Sequence, residues 1–336
     1  MTTTSRMISP IDFDKDGKQC DYLQLPHSVH RSAYGWLPLP LVCVKNGEGP
    51  TVLLMSGNHG DEYEGQVTLT RLVKELEPEH IQGRVIIFPM ANFPAAKAGL
   101  RTSPIDNINL NRVFPGDPDG TPTLQIAHYI ETVLLDMADY MLDLHSGGSS
   151  LMYLPSTILG RSDDTAAFDK KVGMTMAFGA PYAFMFPQGA MGSHSTAAAV
   201  RQNVIAIGTE VGGGGTVTPE ALRICERGVR NVLRHLSVLK TGEIEPPEKP
   251  TRIIGAEDHS AFTYAEEEGL FEPAAELGDE VTAGQIAGYI HHPETPWREA
   301  EEVRFQASGV LICKRIPGRV ERGDCLFHSG ADTTIR

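Results

Sequence analysis

The 336-residue chain predicts an α/β protein, a mostly parallel sheet covered by helices, with a small C-terminal all-β unit. Three observations carry this. Apolar runs of strand length alternate with longer segments of helical period up to about Leu239. The charged, proline-rich stretch "KTGEIEPPEKP" then breaks the pattern, and beyond it segments shorten and glycines multiply. Alternation of strand and helix is the mark of βαβ units, whose crossover helices cover a parallel sheet.

Along the chain, "MTTTSRMISPIDFDKDGKQC" begins as a polar tail without the charged-then-apolar pattern of a secretion signal. "TVLLMSG" has the apolar run of a buried strand, and in "GQVTLTRLVKEL" Val67, Leu69, Leu72, Val73 and Leu76 fall near helical spacing. "RVIIFPMAN" restores strand character. After a long loop, "TLQIAHYIETVLLDMA" predicts a second amphipathic helix, "YMLDLHSGG" a third strand and "VIAIGTEVGGGG" a fourth. Thr218-Pro219-Glu220 opens the helix "TPEALRICERGVRNVLRHLSVL", with proline in the first turn where its missing N–H does no harm. Past the break, "LGDEVTAGQIAGYI" and "IPGRVERGDCLFHS" are loosely similar, each with a valine near a glycine turn, as in a β unit of two related halves. The expected organisation is a tail and first strands over 1–30, a catalytic domain over 31–240, a linker over 241–250 and a β domain over 251–336.

Composition excludes several classes of function. A formal charge of -14 argues against nucleic acid or an anionic membrane surface as partner, since either needs a basic face. No apolar stretch approaches the roughly 18 residues of a membrane span. The five cysteines, Cys20, Cys43, Cys225, Cys313 and Cys325, are scattered without a CxxC pair, which fits reduced thiols in a cytoplasmic protein better than a disulfide framework or a cysteine metal site.

Chemistry is concentrated where the predicted strands end. In a parallel sheet, ligands bind at the carboxyl edge, where loops from several strands converge. "LLMSGNHGDE" delivers His59 and Glu62 there, "YMLDLHSGG" delivers His145 and "IAIGTEVGG" delivers Glu210. A His-x-x-Glu pair with a remote histidine is a ligand set that leaves a catalytic zinc an open position for water. A lone HxxE arises often by chance; three loaded strand ends of one kind point to one site. Asp143 stands ready to orient an imidazole, and Glu210 is free to act as base. The residues alone leave open a zinc hydrolase or another His/Glu metal site, and ligand type admits manganese, cobalt or iron. The loop "GLRTSPIDNINLNRVFPG" carries Arg101, Asn111 and Arg112 with little apolar burial to explain it. Arginine's planar donor fork suits a carboxylate or a polarised carbonyl.

In the order "GNHGDEYEG", "NLNRVFPG", "LDLHSGG" and "GTEVGGGG", these motifs resemble the succinylglutamate desuccinylase and aspartoacylase family, relatives of the zinc carboxypeptidases, over most of the first 240 residues. The resemblance implies a zinc-carboxypeptidase-like fold and one zinc ion per chain held by His59, Glu62 and His145. It also implies Glu210 as general base, Arg101 polarising the scissile carbonyl, and Asn111 with Arg112 binding the substrate carboxylate. Ser193-His194-Ser195 falls where family members place substrate contacts, which makes His194 a substrate-binding candidate. Within the family, "RTSPIDNINLNRVFPG" and "HGDEYEG" look most like the N-acetyl-2,4-diaminobutyrate deacetylases of ectoine breakdown. The implied partner is a small N-acyl amino acid; a homo-oligomer stays open. Alternatives are deacylation of acetyl-aspartate or succinyl-glutamate, a zinc carboxypeptidase, or a zinc-binding sensor without catalysis. The C-terminal unit resembles biotinyl and lipoyl barrels, but "YIHHPETPWREAEEVRFQA" lacks the lysine a carrier hairpin presents, and Lys314 lies beyond it.

Overall fold

The computed structural model describes residues 5–186, 192–255 and 259–335. The expected polar tail turns into strand at Gly17, where β1 (Gly17–Pro26) and β2 (Trp36–Asn46) pair as an antiparallel hairpin. Then come β3 (Thr51–Ser56), α1 (Tyr63–Glu75), β4 (Gly83–Phe88), α2 (Phe93–Ala98), α3 (Pro122–Tyr129) and β5 (Tyr140–Leu144). They are followed by β6 (Leu151–Gly160), α4 (Thr165–Phe178), β7 (Tyr182–Phe186), α5 (Ser195–Arg201), β8 (Ile205–Gly213) and α6 (Pro219–His235). Among the described residues, no helix is long and apolar enough to cross a membrane.

At the centre, β4, β3, β5 and β8 lie side by side and parallel. Their apolar runs are continuous because both faces are covered. Val52, Leu54, Val85, Ile87 and Leu142 pack against Leu69 and Leu72 of α1, Phe178 of α4 and Val229 of α6. Leu53, Met55, Ile86, Phe88 and Met141 face the other way, with Ile126 of α3 and Ala198 and Ala199 of α5. Each large apolar side chain so buried contributes about 1.5–3 kcal/mol. Gly228 interrupts the good helix formers of α6 for a packing reason: a Cβ there would lie 2.6 Å from the Phe178 ring. The loop before α3 is better anchored than its polar sequence suggests, since Leu110 and Phe114 are buried in the second of these cores.

The sheet as a whole is mixed, which the sequence expectation of a mostly parallel sheet understates. Only residues 145–150 separate β5 from β6, too few for a parallel crossover, which takes about a dozen. Accordingly β6 runs antiparallel to β8 and opens the second half of the sheet. That half is completed by C-terminal strands. They are β9 (Arg252–Gly255), β10 (Phe262–Tyr264), β11 (Gly269–Pro273), β12 (Glu280–Val281), β13 (Ile286–His291), β14 (Glu301–Arg304), β15 (Gly309–Arg315), β16 (Arg319–Val320) and β17 (Cys325–Asp332).

Each of the two similar phrases forms a two-residue strand, a turn at a positive-φ glycine (Gly284, Gly323) and a long strand. The pairings β6–β7, β7–β9, β9–β17, β17–β15 and β15–β6 close a ring around Phe184, Ile254, Val310, Ile312 and Cys313. The C-terminal strands therefore brace β6, and β6 is a wall of the site described next. Lys314, inside β15, is paired with Glu276 at 2.6 Å. All five cysteines are free, three of them buried.

Candidate metal centre

Because β3, β5 and β8 are neighbours and parallel, their carboxyl ends bring three loops together. His59 sits in the turn from β3 to α1, and Glu62 immediately precedes α1. That turn is pressed onto α2: a Cβ on Gly60 would lie 2.0 Å from the carbonyl carbon of Ala95, so only glycine fits. His145 follows β5, its backbone held by the Thr209 hydroxyl and by Val211 N–H, both from β8.

His59 Nδ1 lies 2.6 Å from Glu62 Oε1, and His145 Nδ1 lies 2.7 Å from Glu62 Oε2. All three side chains are buried, and their ligand atoms converge within 4.8 Å. The outward nitrogens are held too. His59 Nε2 donates to Asn109 Oδ1 at 3.1 Å and His145 Nε2 donates to Asp143 Oδ2 at 2.9 Å. Those acceptors hold a proton on each Nε2, so that a bound metal would meet both Nδ1 atoms from inside, the arrangement of histidines that bind metal. The donor set and its orientation fit a divalent cation.

Charge is finely balanced here. Burial alone would raise the Glu62 carboxyl, but the two imidazoles outweigh it and hold the group below the usual range. Burial would depress His145, yet Asp143 and Glu62 on either side push it well above the ordinary imidazole value. Glu210 is the converse: burial, with the Glu62 charge added, pushes its carboxyl well up, and its buried Oε2 has no hydrogen-bond partner among the described residues. A carboxyl group with an unused oxygen, in the same cavity as His59 and His145, is placed to exchange a proton.

The other carboxylates of "GDEYEG" do something else. Asp61 Oδ2 accepts from Ser149 N–H and hydroxyl at 2.8 and 2.7 Å, fixing the loop after His145, while Glu64 Oε1 accepts from Gly213 N–H at 3.2 Å and ties α1 to the end of β8.

His59, His145, Glu210, Arg101, Asn111, Arg112 and His194 line one cavity of about 670 Å³. Arg101 reaches to 3.5 Å from Glu62 Oε1. Asn111 accepts Ser195 N–H on Oδ1 at 2.9 Å, which turns its amide donors away from that bond. Arg112 donates to Asn111 O and has no carboxylate partner among the described residues; burial and the neighbouring Arg101 lower its pKa. His194 caps α5, its Nδ1 accepting Ala197 N–H at 3.1 Å, so the ring serves the helix as well as the cavity wall. Sequence reasoning missed Asn109, whose signal was its place two residues before Asn111. It also missed Lys171 of α4, 7% exposed and lining the same cavity, for which no local pattern exists.

Residues 48–236 match the family described as succinylglutamate desuccinylase/aspartoacylase catalytic domain. Over 322 residues, 96% of this chain and 94% of the other, the protein is 44% identical to the N-alpha-acetyl-L-2,4-diaminobutyric acid deacetylase of Halomonas elongata. Among solved structures, a succinylglutamate desuccinylase/aspartoacylase from Rhodobacter sphaeroides superposes with a TM-score of 0.93 at 40% identity, covering 98% of this chain and 100% of that one. The product-bound ectoine utilization protein EutE (DoeB) from Ruegeria pomeroyi gives 0.94 at 38% identity over the same shares.

Proposed function

The chain belongs to the succinylglutamate desuccinylase/aspartoacylase family of N-acyl amino acid amidohydrolases, and on that premise we propose that it hydrolyses N-alpha-acetyl-L-2,4-diaminobutyrate to acetate and 2,4-diaminobutyrate, using one zinc ion held by His59, Glu62 and His145. One observation supports the chemistry above the rest: Glu210, whose buried Oε2 has no hydrogen-bond partner among the described residues, shares a cavity with His59, His145, Arg101, Asn111 and Arg112. The substrate assignment is supported by the Halomonas relative and by EutE.

Bound zinc supplies Lewis acidity toward the acyl carbonyl and brings the pKa of a water toward ~7. The chain does the rest. Arg112 and the Asn111 amide hold the substrate carboxylate, which fixes the amide bond over Glu210. Glu210 takes a proton from the attacking water and returns it to the departing amine, while the Arg101 guanidinium stabilises negative charge on the carbonyl oxygen. One water enters, and acetate and a protonated amine leave.

The test is acetate release by the purified protein from acetyl-diaminobutyrate and acetyl-aspartate, alongside succinate release from succinyl-glutamate and amino-acid release from short peptides, before and after a chelator. Chelator-sensitive cleavage of the first is expected. Preference for another acyl amino acid would discard the substrate, preference for peptides would favour a carboxypeptidase, and zinc bound without any hydrolysis would favour a sensor.

Zinc binding should also release protons. In the metal-free chain His145 and Glu210 both titrate above their ordinary values, and a nearby dication disfavours their protons. Affinity therefore rises with pH until both groups have lost their protons without metal. Titration calorimetry in buffers of different ionisation enthalpy should give a positive proton count; a count of zero would remove these groups from the site.

A further inference from the structure

The metal ligands and the carboxylate-binding turn belong to one circuit of hydrogen bonds. From His59 it runs through Nε2 to Asn109 Oδ1 at 3.1 Å, and the same oxygen accepts Asn111 N–H at 2.9 Å. Asn111 Oδ1 accepts Ser195 N–H at 2.9 Å, and the Ser195 hydroxyl donates to Asp143 Oδ2. That oxygen accepts His145 Nε2 at 2.9 Å, and both imidazoles meet again at Glu62. Asn111 thus stands at the midpoint of two arms, one from each histidine. In the second arm, among the described residues, a single side-chain bond joins α5 to the Asp143 carboxylate that holds His145: the Ser195 hydroxyl, on a residue only 2% exposed.

We propose that Ser195 is a positioning residue that couples metal binding to the ordering of Asn111, and through it of the turn that takes the substrate carboxylate. The proposal rests on His59, Glu62 and His145 being metal ligands and is independent of which acyl amino acid is cleaved. A metal that fixes both rings fixes the directions of both Nε2–H donors, hence the acceptors Asn109 and Asp143. Each acceptor then holds Asn111 from its own side. Coupling of this kind is reciprocal, so a carboxylate clamped at Asn111 tightens metal binding by the same factor.

Ser195→Ala is a mild probe. It deletes one hydroxyl, keeps the backbone N–H that Asn111 accepts, and leaves Asp143 Oδ2 its other donors, His145 and Asn58 Nδ2 at 3.1 Å. Asn109→Ala cuts the other arm. The measurement is amide hydrogen exchange of the metal-free protein with and without zinc, followed in segments 109–113 and 193–197, after zinc binding by each protein has been measured.

In the wild type, zinc should slow exchange in both segments by about tenfold or more, as expected when local opening becomes linked to ligand release. Ser195→Ala should still bind zinc, with affinity reduced within the roughly 10–100-fold typical of lost ligand support. It should lose the zinc effect in 193–197 and keep in 109–113 only the part that the Asn109 arm carries. Asn109→Ala should keep the effect in 193–197 and retain in 109–113 only the part that the Ser195 arm carries, which also guards against a folding defect in either variant. Zinc-dependent protection that is equal in all three proteins, or absent from the wild type, overturns the coupling while leaving the metal centre in place. Failure of the wild type to bind zinc overturns both.

Discussion

Glu210→Gln is expected to retain zinc and the fold while turnover falls by about 10²–10⁴-fold, the range general acid–base catalysis supplies. Glutamine matches the shape of glutamate, and Glu210 is not among the converging ligand atoms, so the metal should stay. What is lost is an acceptor able to ionise. In the metal-free chain Glu210 is raised first by burial and then by the charge of Glu62. A cation among the ligands opposes Glu62 and lowers the group again, toward the range where a base works. The catalytic form is the carboxylate, so kcat/KM rises with pH through the Glu210 pKa in the loaded wild type, and that acid limb should vanish in the variant. Steady-state rates against pH, with zinc content determined on the same samples, check both points. Turnover within tenfold of wild type, or an unchanged acid limb, would assign the base elsewhere.

How much of this was legible in the sequence differs by element. β3, β5 and β8 could be read because strands buried on both faces are continuously apolar, and the polar residues that end them stand out. β6 escaped because it carries Pro155 and a register shift between Tyr153 and Ser156, and because its half-buried pattern reflects the ring it joins. Ring closure depends on pairing β15 with β6 across more than 150 positions, which no local pattern announces. β2 was obscured by Pro38 and Pro40; both lie outside the stretch from Val42 to Asn46 where β4 also pairs with it, and proline is tolerated at such an edge. In the site, residues at strand ends could be proposed from position alone. Asn109, Ser195 and Lys171 could not, since each acts through partners or a cavity that exist only once distant loops have met. His194 shows the same limit from the other side: its neighbourhood was anticipated, its capping of α5 was not.

Glu62→Gln is expected to lose zinc and with it all measurable turnover, while Asp61→Asn and Glu64→Gln keep both. The three carboxylates stand within four positions of one another, and only their surroundings separate them. Glu62 offers one oxygen to each histidine, and its charge is the anionic contribution to the ligand set. A neutral amide there removes that charge and turns an N–H₂ toward one of the imidazoles. The loss of affinity should exceed the roughly 10–100-fold typical of removing a group that only supports a ligand. Asp61 works as an acceptor for Ser149, and an asparagine oxygen accepts the same two bonds. Glu64 is pushed up by burial despite the hydrogen bonds it receives, so neutral glutamine fits its site and can still accept Gly213 N–H. Zinc content and acetate release measured on the three variants give the answer directly. Retention of zinc by Glu62→Gln, or its loss from either of the others, would mean that the cation sits elsewhere in the loop and that His59 and His145 hydrogen-bond Glu62 without sharing a metal with it.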